Sequence, residues 1–165
     1  MVTGIFYGVA GGATLQGLII KELDMRDLDT VYMIEVESYP APWSRNFFRL
    51  MAHTAPELFL TAHDGDEIIG YTVGEVDTRP NGRRLGHVMN LAVKGAYRNR
   101  GVGSALMDEL ERRFVEMGAT AAYLEVRESN AMAQKLYTGR GYSFFRKAKG
   151  YYGDEDGFVM TRSLR

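Results

Sequence analysis

Hydrophobic positions along this chain follow two spacings, and segments with one spacing alternate with segments that have the other. Spacings of three and four residues predict helices over 25–39, over about 101–117 and over 130–139. Apolar runs, or apolar residues at every second position, predict strands, among them "TAAYLEVR" at 120–127. Helices and strands that alternate in this way favour one α/β or α+β domain with a mixed sheet.

Breaks in the pattern predict where these elements end. "YPAPWS" at 39–44 cannot continue a helix because it contains two prolines, and its Ser44 is a candidate N-cap for the next helix. Two apolar runs flank "DGD" at 64–66, which is typical of a β-hairpin. "YSFFRKAK" at 142–149 and "GFVMTRSL" at 157–164 are predicted to be the closing strands.

Composition restricts the class of protein. The chain has 165 residues, 45% of them hydrophobic and 25% charged, and its net charge is −1, so neither nucleic acid nor an anionic membrane is an expected partner. Without cysteine it has no disulfide, thiolate zinc site or cysteine nucleophile. The histidines are His53, His63 and His87, none of them in an HExxH pattern, so no metal is expected.

The first seventeen residues are rich in glycine. The first lysine is Lys21, so the segment lacks the positive start of a secretion signal, and we expect the protein to be cytoplasmic. We interpret 1–17 as an N-terminal extension and 18–165 as the functional domain. The extension is open to three interpretations: a loose segment, an edge strand or a start-site artefact.

The stretch "YRNRGVGSALMDEL" at 97–110 is a candidate anion-binding loop. Gly101 and Gly103 allow a ligand to approach the backbone, and the helix that follows offers N–H groups and the positive end of its dipole. Arg98 and Arg100 add positive charge, as a pyrophosphate would require. The pattern is neither a Walker A motif nor the dinucleotide fingerprint. The alternative is a tight turn with solvated arginines.

Three further stretches accompany this loop. They are "YLEVRESNAMAQKLYTGRGY" at 123–142, "PAPWS" at 40–44 and "YYGDEDGFVM" at 151–160. Together with the loop, they resemble the GNAT superfamily of N-acetyltransferases from about residue 18 to the end of the chain. Within it, the chain resembles the ribosomal-protein alanine N-acetyltransferases and the archaeal N-terminal acetyltransferases.

The resemblance implies a fold and a cosubstrate. The fold would be a GNAT-type domain with a mixed, mostly antiparallel sheet of about six to seven strands and about four flanking helices. Its central strands would splay to hold acetyl-CoA, with backbone N–H groups at 91–93 on the thioester oxygen. The residues implied in binding acetyl-CoA are Leu91, Ala92, Val93, Arg98, Asn99, Arg100, Gly101, Val102, Gly103, Ser104, Asn130 and Tyr137.

Glu125 is the candidate general base. Strand alternation puts it on one face with Tyr123 and Arg127, and a carboxylate in mid-strand must be paired or hydrated. The resemblance implies that Glu125 takes the proton of the attacking amine through a water and that Tyr137 protonates the leaving sulfur. The alternative for Glu125 is a solvent-facing glutamate at a strand edge. The alternative for Tyr137 is an aromatic residue of the core.

The remaining site residues come from the same resemblance. His87 stands where some relatives carry a tyrosine that positions the amine, so it is a second candidate for the base; the alternative is a structural histidine. Residues implied in binding the substrate are Glu37, Tyr39, Tyr151 and Tyr152.

The resemblance also implies an activity. The chain is expected to acetylate the α-amines of protein or peptide N-termini that begin with Ser, Ala or Thr, with Met as a wider possibility. Ribosomal or nascent chains are the expected partners, and a monomer is the favoured state. The alternatives are an acetyltransferase for lysine side chains or a small amine such as a polyamine, and a non-catalytic acyl-CoA-binding module.

Overall fold

Strands and helices alternate along the chain, as the two hydrophobic spacings predict. The computed structural model describes residues 5–6, 15 and 17–164. The strands in these residues are β1 (Ile5–Phe6), β2 (Leu18–Glu22), β3 (Phe59–Asp64), β4 (Glu67–Thr78), β5 (Arg84–Val93), β6 (Ala119–Arg127), β7 (Ser143–Ala148) and β8 (Gly157–Ser163). The α-helices are α1 (Leu28–Ser38), α2 (Arg45–Thr54), α3 (Val102–Glu116) and α4 (Ala131–Gly139).

The described strands form one mixed sheet in the order β1-β2-β3-β4-β5-β6-β8-β7. β5 and β6 run parallel, and the pairs β1/β2, β2/β3, β3/β4, β6/β8 and β7/β8 are antiparallel. This confirms the predicted mixed sheet with four helices. The eighth strand is the two-residue β1, in the segment interpreted as an extension; residues 1–4, 7–14 and 16 of that segment lie outside the described residues. The boundary between extension and domain stays a prediction.

Contacts between Cα atoms divide the chain into two units, of which the first comprises residues 1–74 and 90–113. Its core contains three aromatic rings. The Phe48 ring of α2 lies 5.7 Å from that of Phe59 and 5.5 Å from that of Tyr71, and all three side chains are buried. Such ring pairs contribute beyond the area that they bury. They fix α2 against β3 and β4.

The second unit comprises residues 75–89 and 114–165. β6 pairs with β8 from Ala121–Ser163 to Arg127–Gly157, and its Leu124 and Val126 are buried. Gly86 of β5 packs directly on the ring of Phe114, because a Cβ on this glycine would lie 2.2 Å from a ring carbon. The side chain of Phe114 therefore requires glycine at this position of the strand.

Local signals in the sequence are confirmed where helices and turns begin. Ser44 Oγ accepts the N–H of Phe47 at 3.2 Å, and Gly65, in the turn between β3 and β4, has φ +59°. Glu109 of α3 is a buried carboxylate, 4% exposed, which pairs with both Arg112 and Arg113. None of the described helices is long and apolar enough to cross a membrane.

Candidate active site

The parallel pairing of β5 with β6 brings His87 and Glu125 together. His87 pairs with Tyr123 in the register, and Glu125, two residues further along β6, lies on the same face as Tyr123. His87 Nε2 lies 2.7 Å from Glu125 Oε2, and the two side chains are 15% and 14% exposed. The two residues proposed as alternatives for the base are therefore hydrogen-bonded to each other.

The second ring nitrogen of His87 also faces a carboxylate. Its Nδ1 lies 3.2 Å from Glu75 Oε1, on β4. Burial alone would lower the pKa of His87, but the hydrogen bonds and charges of Glu125 and Glu75 outweigh it, so the pKa is raised. Because each ring nitrogen has a carboxylate partner, we infer that the ring is in its protonated form and donates to both.

Tyr123 forms one wall of this pair. Its ring stacks on His87 with centroids 4.3 Å apart and planes 8° apart, and its hydroxyl donates to Asp77. Arg79 lies 5.5 Å from the centre of the Tyr123 ring and 3.7 Å from Asp77 Oδ2. Burial, and then the hydrogen bond to Asp77, raises the pKa of Tyr123, so its hydroxyl stays protonated as a donor.

Among the described residues, one group of histidine and acidic side chains could hold a metal ion. It consists of Glu75, Asp77 and His87, whose ligand atoms lie within 4.8 Å of one another. Each of these side chains already bonds a protein group: Glu75 and His87 bond each other, and Asp77 accepts from Tyr123. All three side chains thus take part in the hydrogen bonds around His87, and the expectation that no metal is bound stays a prediction.

Tyr137, the candidate acid, is a buried residue of α4. Its burial raises the pKa of its hydroxyl to about 12, so it keeps its proton throughout the neutral range. Its ring makes an edge contact with Tyr142 at 5.9 Å. Asn130 caps the same helix, since its Oδ1 accepts the N–H of Ala133 at 3.1 Å. The contact of Asn130 with a cofactor stays a prediction.

Tyr151 and Tyr152 lie in the loop between β7 and β8. Partial burial, then the charge and hydrogen bond of Glu125, raises the pKa of Tyr151. The guanidinium of Arg127 lies 4.4 Å from the centre of the Tyr152 ring and pairs with Asp154 at 3.0 Å. The loop is thus held by the strand that carries Glu125.

The predicted acetyl-CoA loop has the backbone of an anion-binding turn. Asn99 and Gly101 have φ of 58° and 81°, and the N–H of Ala105 is bonded to the Gly101 carbonyl at 2.9 Å. The N–H groups of Val102 and Gly103 come before this bond, and helix geometry offers them no acceptor inside α3. These N–H groups and the two positive φ angles fit a phosphate. Arg98 Nε donates to the Val93 carbonyl at 2.9 Å, which ties the loop to the end of β5.

The candidate substrate residues of the first unit have different surroundings. Tyr39 donates its hydroxyl to the carbonyl of Leu91 at 2.5 Å, within the segment predicted to bind the thioester. Glu37 is exposed at the end of α1. The buried glutamate of this helix is instead Glu35, which accepts the N–H of Trp43 at 2.8 Å in the "PAPWS" loop.

The structure reveals residues that sequence reasoning missed. Glu35 also accepts from Tyr71 and from Asn90 Nδ2, the latter at 3.0 Å. Its spacing from Leu28 and Val31 puts it on the buried face of α1, which was a usable signal. Glu75 and Asp77 had no such signal, because their roles depend on which strand lies next to β4.

Sequence comparison identifies the class of protein. The chain belongs to the acetyltransferase (GNAT) family, whose model matches residues 28–142. It is therefore an acyltransferase. An uncharacterized N-acetyltransferase of Methanocaldococcus jannaschii is 32% identical over 148 residues, 88% of this chain and 91% of that protein. An N-alpha-acetyltransferase of Sulfurisphaera tokodaii is 29% identical over 154 residues, with 88% and 92% covered.

Solved structures agree with this assignment. Ard1 from Thermoplasma volcanium matches with a TM-score of 0.83 and 26% identity, covering 90% of this chain and 98% of that one. A chain of the NatC complex bound to Gag peptide and CoA matches with a TM-score of 0.84 and 25% identity over 90% and 99%. The ribosomal-protein-S18-alanine N-acetyltransferase from Escherichia coli matches with a TM-score of 0.75 and 27% identity over 89% and 94%. The resemblance to both groups of enzymes is confirmed.

Proposed function

We propose that this acyltransferase moves the acetyl group of acetyl-CoA to the α-amine of protein or peptide N-termini. The observation that carries the proposal is the mid-strand carboxylate of Glu125, which is 14% exposed and bonded to His87 at 2.7 Å. A relative named N-alpha-acetyltransferase, aligned over 88% of the chain, supports the same acceptor. The acceptors we propose begin with Ser, Ala or Thr, with Met as a wider class.

An α-amine needs only modest help from the enzyme. Its pKa is near 8, so about one tenth is neutral and nucleophilic at pH 7, whereas a lysine amine near 10.4 is neutral about four times in ten thousand. A single carboxylate that accepts the proton through a water is therefore enough for an α-amine. The same site would leave a lysine side chain mostly charged and unreactive.

We assign the base to Glu125 rather than to His87. A base must offer a lone pair, and a protonated ring that donates at both nitrogens offers none. The Glu125 carboxylate uses Oε2 for the bond to His87, and it retains further acceptor positions for a water or the amine. In this assignment His87 orients the carboxylate and balances its charge.

Tyr137 is the proposed acid. The amine attacks the thioester carbonyl directly, and the departing sulfur takes the proton of the Tyr137 hydroxyl, which a pKa of about 12 keeps in place until then. N–H groups in the segment 91–93 would stabilise the charge on the carbonyl oxygen. The reaction forms no covalent enzyme intermediate and uses no metal ion, so we expect chelators to leave the rate unchanged.

The loop before α3 is the proposed acetyl-CoA site. Val102 and Gly103 supply N–H groups for the pyrophosphate, and Arg98 and Arg100 supply charge. The other proposed contacts of the cosubstrate are Leu91, Ala92, Val93, Asn99, Gly101, Ser104, Asn130 and Tyr137. CoA bound in the structure of the similar NatC chain supports this cosubstrate.

The proposed peptide contacts are Tyr39 and Glu37 with the tandem tyrosines Tyr151 and Tyr152. Phenol hydroxyls can bond the backbone of the first residues of a peptide. We propose that the protein acts in the cytoplasm, as a monomer, on ribosomal or nascent chains, through a domain that covers 18–165.

Paired variants test the proposed assignment of the base. We expect Glu125→Gln to lower kcat on a Ser-starting peptide about 10²-fold or more. His87→Ala should lower it less, and His53→Ala, an exposed histidine of α2, serves as the matched control. A peptide with a formylated N-terminus should not react. A large fall in kcat for His87→Ala, with little change in kcat for Glu125→Gln, would reverse the assignment.

A further inference from the structure

We propose that Glu75 is a positioning residue for acetyl transfer: its carboxylate holds His87 so that the other ring nitrogen donates to Glu125. This rests on the proposed function, in which Glu125 is the base. Glu75 lies on β4, and within the described residues its side chain bonds His87 and not Glu125 or a proposed substrate contact. It acts through His87 alone.

The geometry gives His87 a carboxylate at each end. Glu75 Oε1 lies 3.2 Å from Nδ1, and Glu125 Oε2 lies 2.7 Å from Nε2. Nδ1 and Nε2 are on opposite sides of the ring, so an acceptor at Nδ1 fixes the direction in which Nε2 points. The His87 side chain is mostly buried, at 15% exposed, whereas that of Glu75 is 40% exposed and can be replaced without opening the core.

The carboxylates of Glu75 and Glu125 also determine the protonation state of the His87 ring. Only the imidazolium has an N–H for each of them. A neutral ring would turn the lone pair of one nitrogen toward a carboxylate oxygen, and the lone pair and the oxygen would repel each other. Glu75 therefore keeps a proton on Nε2, and this proton fixes the orientation of the Glu125 carboxylate while its other acceptor positions face the amine.

Other groups around the ring do not replace Glu75. Tyr123 stacks on the face of His87 from β6, and its hydroxyl is committed to Asp77. Arg79 pairs with Asp77 at 3.7 Å, so these two charges largely offset each other. In the part of the chain that the structure describes, the carboxylates that bond the ring nitrogens are those of Glu75 and Glu125.

Titration of His87 by NMR tests directly whether the Glu75 carboxylate keeps the His87 ring protonated. Glu75→Gln keeps the shape and an acceptor oxygen but removes the charge, so the midpoint of His87 should fall by about one pH unit. Glu22→Gln is the matched control for charge, because Glu22 lies in β2 and bonds Arg113. It should leave the midpoint in place. The chain has three histidines, so the signal that disappears in His87→Gln identifies the ring.

Kinetics of the same variants test the effect on transfer. We expect Glu75→Gln to lower kcat about tenfold at pH 8, to leave the KM for acetyl-CoA within about twofold, and to move the alkaline fall of the kcat profile to lower pH. An unchanged midpoint overturns the proposal. A lower kcat with an unmoved midpoint and pH profile also overturns it, because it indicates only a structural role. If the midpoint falls but the wild-type protein acetylates no peptide, the proposed function fails while the hold of Glu75 on His87 stands.

Discussion

Replacement of Glu35 by alanine should destabilise the protein, because three donors depend on this one buried carboxylate. Glu35 is 1% exposed and accepts from the Trp43 N–H at 2.8 Å, from Asn90 Nδ2 at 3.0 Å and from the Tyr71 hydroxyl. Glu37, two residues further along the same helix, is exposed. Glu37→Ala is therefore a control with the same chemistry and the same helix.

The magnitude follows from the donors that lose their acceptor. A hydrogen bond to a charged group contributes about 1.5–3 kcal/mol, and Asn90 keeps one partner because it also donates to Tyr71 at 3.1 Å. Removing the Glu35 carboxylate also removes the cost of keeping its charge away from water, and this offsets part of the loss. We expect Glu35→Ala to lower the free energy of unfolding by about 3 kcal/mol, Glu35→Gln by less. Glu37→Ala should change it by no more than about 0.5 kcal/mol.

Urea unfolding measures these differences. The single tryptophan is Trp43, whose N–H is one of the three donors, so its fluorescence reports on the loop while far-UV circular dichroism reports on the whole chain. Coincident transitions would support two-state behaviour. A loss below about 1 kcal/mol for Glu35→Ala, or one no larger than that for Glu37→Ala, would refute the role of Glu35 as the shared acceptor.

Three further predictions concern packing, the proposed acid and pH. Gly86→Ala should lower the free energy of unfolding by about 1–3 kcal/mol, because its Cβ would lie 2.2 Å from the Phe114 ring; Gly95→Ala, with no heavy atom within 4 Å, should stay within about 0.5 kcal/mol, and equal losses in urea titrations would refute the packing argument. Tyr137→Phe should lower kcat about 10²-fold without changing the urea midpoint; a kcat near that of the wild type would remove Tyr137 as the acid. Burial, and then nearby positive charge, lowers the pKa of His63 below its ordinary 6.5, so the unfolded chain binds that proton at a higher pH than the folded chain and stability should fall as the pH drops below 6.5. Thermal melts at pH 5.5 and 7.5 should show a smaller difference for His63→Gln, and an unchanged difference would contradict the assignment.

Much of the fold could be predicted from the sequence, because it is determined by interactions between residues that are close together along the chain. The alternation in β6 placed Glu125 on the face of Tyr123, and the serine before α2 formed the expected cap. These features depend only on neighbours within about four residues, which hydrophobic spacing and capping rules describe well.

The rest depends on contacts between distant parts of the chain. Glu75 meets His87 only because β4 lies beside β5, and strand order does not follow from the spacing of residues within a strand. The sequence drew attention to Glu37, whereas the structure buries Glu35 against partners 8, 36 and 55 residues away. A buried carboxylate is stable where its partners converge, and only the tertiary structure shows that convergence.

The most direct test of the central claim is to find the atom that receives the acetyl group. The protein would be incubated with acetyl-CoA and short peptides that differ in their first residue, each with one internal lysine, and the product fragmented in a mass spectrometer. We expect acetyl on the α-amine of peptides that begin with Ser, Ala or Thr, and about 10²-fold less product with Glu125→Gln. Acetyl on the lysine, or on none of the peptides, would contradict it.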